Sequence, residues 1–127
     1  ALECGVLSER LREQMALAIA EQHRSEYWVA GHVALGRAAG LSDEEIMDAR
    51  GGRSSSGKVQ TALRCACRMI AGGGDLADED WGRLRAAGYG DREITEMVAW
   101  ICANTFSDYF AQATRTEIDF PKTIATW

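Results

Sequence analysis

Apolar residues in this chain recur at helical spacing, run after run. No segment alternates with the period of two that a half-buried strand requires. Most of the runs stop on glycine, and proline occurs once, at Pro121, so nothing inside them breaks a helix. Amphipathic helices bury their apolar stripes against other helices, and the expected fold class is therefore all-α.

The local signals place the helices. Ser8 caps a helix predicted to run to about His23, with Leu7, Leu11, Met15, Ala18, Ile19 and Gln22 on one face. A second helix runs from about Ser25 to Ala39. It is apolar on most sides and is expected to be buried. Gly40 ends it, followed by Leu41, the apolar residue that accompanies a glycine helix stop. Ser42 and Glu45 stand at the reciprocal positions of a capping box, opening a short helix that ends near Gly51. GGRSSSG, residues 51–57, reads as a surface link. Helices are predicted from about Lys58 to Ala71, over 78–87, and from about Asp91 to Ala113. The last carries a stripe of Ile94, Met97, Val98, Ile101, Cys102, Thr105, Phe106, Tyr109 and Ala113. AAGLSDEEI (38–46) and AAGYGDREI (86–94) echo each other, but one short match is weak support for a repeat.

The 127 residues suit one domain, 1–127. A net charge of −5 argues against a nucleic-acid partner, which would need a Lys/Arg excess. No apolar run reaches membrane-spanning length, so no membrane partner is expected. No secretory signal is visible, and because the chain opens on Ala1 rather than Met, the native N-terminus is expected to be absent or processed. Cys4, Cys65, Cys67 and Cys102 are too few and too scattered for a disulfide scaffold, which makes a reducing, cytoplasmic location the simplest expectation. Cys65-Ala66-Cys67 lacks the partners of a zinc site, and no metal or cofactor is expected. Cys65 and Cys67 should face apart on their helix, about 200° around it. Cys102, on the apolar stripe, should be buried.

Residues 23–32, HRSEYWVAGH, have the layout of a redox helix start without its sulfur. Together with LSERLREQMALAIAEQ before them, VALGRAAGLSDEEI after them, and NTFSDYF and TEIDFP near the C-terminus, they carry a resemblance. The chain resembles the alkyl hydroperoxide reductase D-like branch of the carboxymuconolactone decarboxylase superfamily over nearly its whole length. The resemblance implies an orthogonal bundle of about six helices and a homo-oligomer, a trimer or hexamer. In peroxidase members a glutamate stands twelve residues before the first Cys of C-x-x-C, and a histidine four residues after the second. These positions correspond to Glu13 and His32, whereas the two cysteine positions are Ser25 and Trp28. Ala111-Gln112 stands where the subgroup often has Asn-His.

Peroxide reduction by a dithiol needs a thiolate that becomes a sulfenic acid and a second thiol that resolves it. Neither Ser25 nor Trp28 follows that path. Ser25 is expected to cap its helix, and Trp28, if it faces a cleft, to narrow it. Tyr27 is a candidate to place its hydroxyl in the same cleft. Two readings follow from the resemblance. One is a degenerate hydroperoxidase relative that binds a small molecule. The other is a cysteine-independent acid–base enzyme using Glu13 and His32 on a small carboxylated substrate, with Arg10 or Arg24 to hold the carboxylate. A peroxidase using a displaced thiol pair is the least expected.

Overall fold

The computed structural model describes residues 5–123, which form six helices: α1 (Glu9–Gln22), α2 (Glu26–Ala38), α3 (Asp43–Arg50), α4 (Gly57–Ala71), α5 (Asp78–Ala86) and α6 (Asp91–Ala113). No strand occurs among the described residues, and each predicted helix is present within about two residues of its expected ends. Cys4 lies outside the described residues.

The ends agree because their causes are local. Ser8, Ser25, Ser42 and Ser56 each accept a hydrogen bond from the backbone N–H three residues on, meeting a donor that the first helical turn leaves open. Ser42 and Glu45 complete the capping box, at 3.1 Å and 3.0 Å. At the end of α2, Gly40 N–H donates to Arg37 O and Leu41 N–H to Gly36 O, both at 3.0 Å. This double closure needs a left-handed residue, which Gly40 supplies at φ +91. The sequence echo at 86–94 repeats it, with Gly88 and Tyr89 closing on Arg85 and Leu84.

The α1–α2 corner uses the same closure without glycine. Arg24 takes φ +55, its N–H bonding Glu21 O, while Ser25 N–H bonds Ala20 O. One residue then ends one helix and caps the next, so α1 and α2 meet at a sharp corner and pack on each other.

The central helix is α1 rather than α2. It packs against α2, α3, α4 and α6, and Met15 through Ala20 are all buried. Ala16, Ala18 and Ala20 let neighbours approach from several sides, while Met15, Leu17 and Ile19 fill the space between them. Gln22, expected on the inner face, is exposed, and Gln14 is buried instead. α2 buries Val29, Ala30, Gly31, His32, Val33 and Gly36 but leaves Leu35 exposed, so it is two-sided and not wholly internal.

The largest departure is in α6. Its buried line is Ile94, Met97, Ile101, Asn104, Asp108 and Ala111, a continuous step of three and four residues. Cys102, expected to be buried, is exposed, as are Phe106, Tyr109 and Ala113. The expected stripe followed hydrophobicity. The inner line turns polar after Ile101 and leaves the aromatic residues outside.

Candidate functional site

Three helical stripes converge on one cleft of about 390 Å³. α1 contributes Glu9, Arg12 and Glu13, α2 contributes Trp28, His32 and Leu35, and α6 contributes Trp100, Ala103, Asn104 and Ser107. Each set has the three- and four-residue spacing of a single helix face. The corner at residues 23–25 folds α2 back onto α1, which brings His32 against Glu13 across nineteen residues of sequence.

His32 Nδ1 lies 2.8 Å from Glu13 Oε2, and both side chains are largely buried. An ionised carboxylate only accepts, so the geometry assigns the proton to Nδ1, and Nδ1–H donates to Glu13. In the neutral imidazole Nε2 then carries the lone pair, and no described residue bonds to it. This is the arrangement in which a carboxylate fixes both the tautomer and the orientation of an imidazole.

Two tryptophans shape the walls. Trp28 stacks on His32, with ring centroids 5.2 Å apart and planes inclined by 29°. Its indole N–H donates to Ser107 O at 3.1 Å. Trp100 N–H donates to Arg12 O at 2.8 Å. Asn104, buried on α6, donates its amide to Trp100 O at 2.8 Å. Gly31 makes room for this packing, since a Cβ there would stand 3.1 Å from the Trp28 ring and 3.2 Å from Phe120.

The other predicted residues divide. Ser25 is fully buried, and its hydroxyl oxygen accepts from Trp28 N–H at 3.4 Å, so it caps α2 and does not line the cleft. Tyr27 does not line the cleft either, which corrects its expected position. It packs edge-on against Trp28 and Phe120, because its place on α2 points it away from the side facing α1. Arg10 and Arg24 are also corrected. Arg10 binds Gly40 O and Glu45, and Arg24 is exposed at the corner. Arg12 is the cation that lines the cleft.

The described cysteines stand elsewhere. Cys65 is buried, with its thiol pKa pushed up to about 11 by burial and then by the charges of Asp80 and Cys67. Burial also raises Cys67. Such thiols hold little thiolate at neutral pH. Cys102 is exposed on α6, outside the cleft.

Trp100 and Asn104, which line the cleft, and the buried Asp108 beside it are not legible as such in the sequence. The signal was present in the spacing of 94, 97, 101, 104 and 108, but polar residues on that line obscured it. Asp108 lies behind Ser107, 1% exposed, and neither carboxyl oxygen completes a hydrogen bond with a described residue. Burial raises its pKa from 3.8 to about 7. The Ser25 hydroxyl opposes that shift but stands outside good hydrogen-bond geometry, so desolvation dominates.

The fold and the cleft define an all-helical domain with an oriented carboxylate–histidine pair between three helices. The sequence profile of the Carboxymuconolactone decarboxylase family matches residues 1–67, more than half of the chain and the segment that holds Glu13, Ser25, Trp28 and His32. The chain belongs to that family. Its fold is similar to the crystal structure of an uncharacterized peroxidase-related protein from Silicibacter sp. TM1040, at a TM-score of 0.82 and 19% sequence identity. That match covers 89% of this chain and 61% of the other, so the chain spans about three fifths of that protein's length. No curated protein sequence matches the chain. Among the described residues no helix is long and apolar enough to cross a membrane.

Proposed function

We propose that this protein binds a small molecule in the cleft above His32 and has no dithiol hydroperoxidase activity at this site. The observation that carries this reading is an open cleft over the Glu13–His32 pair, while Ser25 and Trp28 serve the packing of α2. The test is to count free thiols in the reduced protein before and after a slight excess of cumene hydroperoxide. The expected result is no rapid loss. Rapid loss of two thiols, restored by a dithiol reductant, would show that peroxidase chemistry runs through other cysteines.

The cleft also favours a second reading, proton transfer on the bound molecule. A closed site would have spoken for binding lost along with catalysis, but here His32 lines an open one. Nε2 accepts a proton, and Glu13 stabilises the imidazolium that forms. Glu13→Gln replaces the acceptor-only carboxylate with an amide that either accepts or donates, so the tautomer is no longer fixed. Nitrogen NMR of the His32 ring is expected to show an unprotonated Nε2 in the parent and a tautomer mixture in the variant. An unchanged His32 spectrum would sink the assignment.

A row of exposed aromatics on α6 supports a homo-oligomer. Phe106, Tyr109 and Phe110 are 58–70% exposed, and Phe106 stacks on Phe110 at 6.2 Å. Such a row on one helix is more apolar than a monomer normally presents. Phe106→Glu with Phe110→Glu is expected to reduce the assembly, trimer or hexamer, to smaller species in analytical ultracentrifugation. An unchanged mass would place the interface elsewhere.

A further inference from the structure

We infer that the cleft selects a planar, conjugated, uncharged molecule carrying an acidic O–H, a phenol or enol, which donates to His32 Nε2. This rests on the reading of the cleft as a small-molecule site and names the class of ligand it takes.

Shape comes first. Trp28 and Trp100 both line the cleft, and each has its only hydrogen-bonding group tied to a backbone carbonyl. The indoles are therefore held in place and offer the ligand π surface and ring edges, with no free donor. Leu35 and Ala103 complete an apolar lining. A volume of about 390 Å³ lies at the small end of ligand sites and suits a molecule of one or two rings.

Charge comes next. Glu9, Glu13 and Arg12 line the cleft together. With the imidazole neutral, two negative charges and one positive sum to −1. A site of that sign disfavours an anionic carboxylate and admits an uncharged ligand.

Chemistry follows from the tautomer. With Nδ1–H donating to Glu13, the neutral imidazole of His32 presents a lone pair, so the ligand group it meets must be a donor. An O–H acidic enough to share its proton forms the strongest such bond. Proton transfer breaks the ligand O–H bond and forms Nε2–H. It leaves an oxyanion conjugated with the ligand's ring, beside an imidazolium paired to Glu13. The proton stays within the cleft, and no oxidant or reductant is needed.

The test uses para-nitrophenol, whose absorbance reports its ionisation, with nitrobenzene and cyclohexanol as controls. At a pH where the free phenol is mostly protonated, saturable binding with growth of the phenolate band is expected. Cyclohexanol should compete at least about tenfold more weakly, the difference one aromatic face makes. Trp100→Leu is expected to weaken binding by about tenfold, with Trp100→Phe recovering most of it, each variant checked for helicity by circular dichroism. His32→Gln should keep nitrobenzene binding and lose the phenolate band. Equal competition by cyclohexanol overturns the planar class while leaving small-molecule binding intact. Binding without a phenolate band, or a band that survives His32→Gln, overturns the donated proton. No binding of any probe overturns both the ligand class and the small-molecule reading.

Discussion

Arg50→Met is expected to lower the stability of the fold by about 3–5 kcal/mol, the largest single effect among charged residues here. Arg50 Nε donates to Glu21 Oε1, and both side chains are at most 7% exposed. The pair links the C-terminal turn of α1 to the end of α3. Methionine keeps most of the volume but strips Glu21 of this buried partner, and an ionised carboxylate cannot remain in that environment without cost. Against a total stability of about 5–15 kcal/mol, the loss is a large fraction. For a domain of this length it corresponds to a fall in Tm of roughly 10–20 °C. Replacing both members, Glu21→Leu with Arg50→Met, should recover much of it, because a buried pair is often no better than apolar side chains of similar volume. Thermal melts of the single and double variants provide the check. A single variant that melts within about 3 °C of the parent would show that the pair carries little.

The second large effect is a dependence of stability on pH through Asp108. Its folded carboxyl has a pKa raised to about 7 from 3.8 by burial, so the folded chain keeps a proton that the unfolded chain releases. Stability from this group is fully present below about pH 4, falls as pH rises towards 7, and is lost above that. The whole span corresponds to roughly 4 kcal/mol. Asp108→Asn removes the titration. Other carboxylates titrate in both proteins, so the informative quantity is the difference in stability between variant and parent. Urea unfolding from pH 4 to 8 is expected to show that difference moving in favour of the variant by at least about 2 kcal/mol. A constant difference across that range would mean that the Asp108 carboxylate is accommodated when ionised.

These two sites illustrate different degrees of legibility. The capping box of Ser42 and Glu45, the stops at Gly40 and Gly88 and the caps at Ser8 and Ser25 could all be recognised in the sequence. The pairing of Glu13 with His32 was implied by the family resemblance, and the α1–α2 corner brings the two together. Asp108 stands at helical spacing from Ile94, Met97 and Ile101, but its polar side chain masks its place on the buried line. Arg12 enters the cleft where Arg10 and Arg24 do not, since which arginine faces it depends on where α6 lies.

The sequence by itself determined the six helices and their ends. Those features arise from hydrogen bonds and backbone conformations reaching only three to five residues along the chain. Tertiary structure alone decided which face of α6 turns inward. That helix carries apolar residues on more than one side, so hydrophobicity offers no single choice, and packing against α1, α2 and α4 selects the line through Asn104 and Asp108. The same packing places Trp100 beside the cleft, leaves Phe106 and Tyr109 outside, and turns Tyr27 away from His32. A local pattern states that a helix forms, and only its neighbours state which side of it is buried.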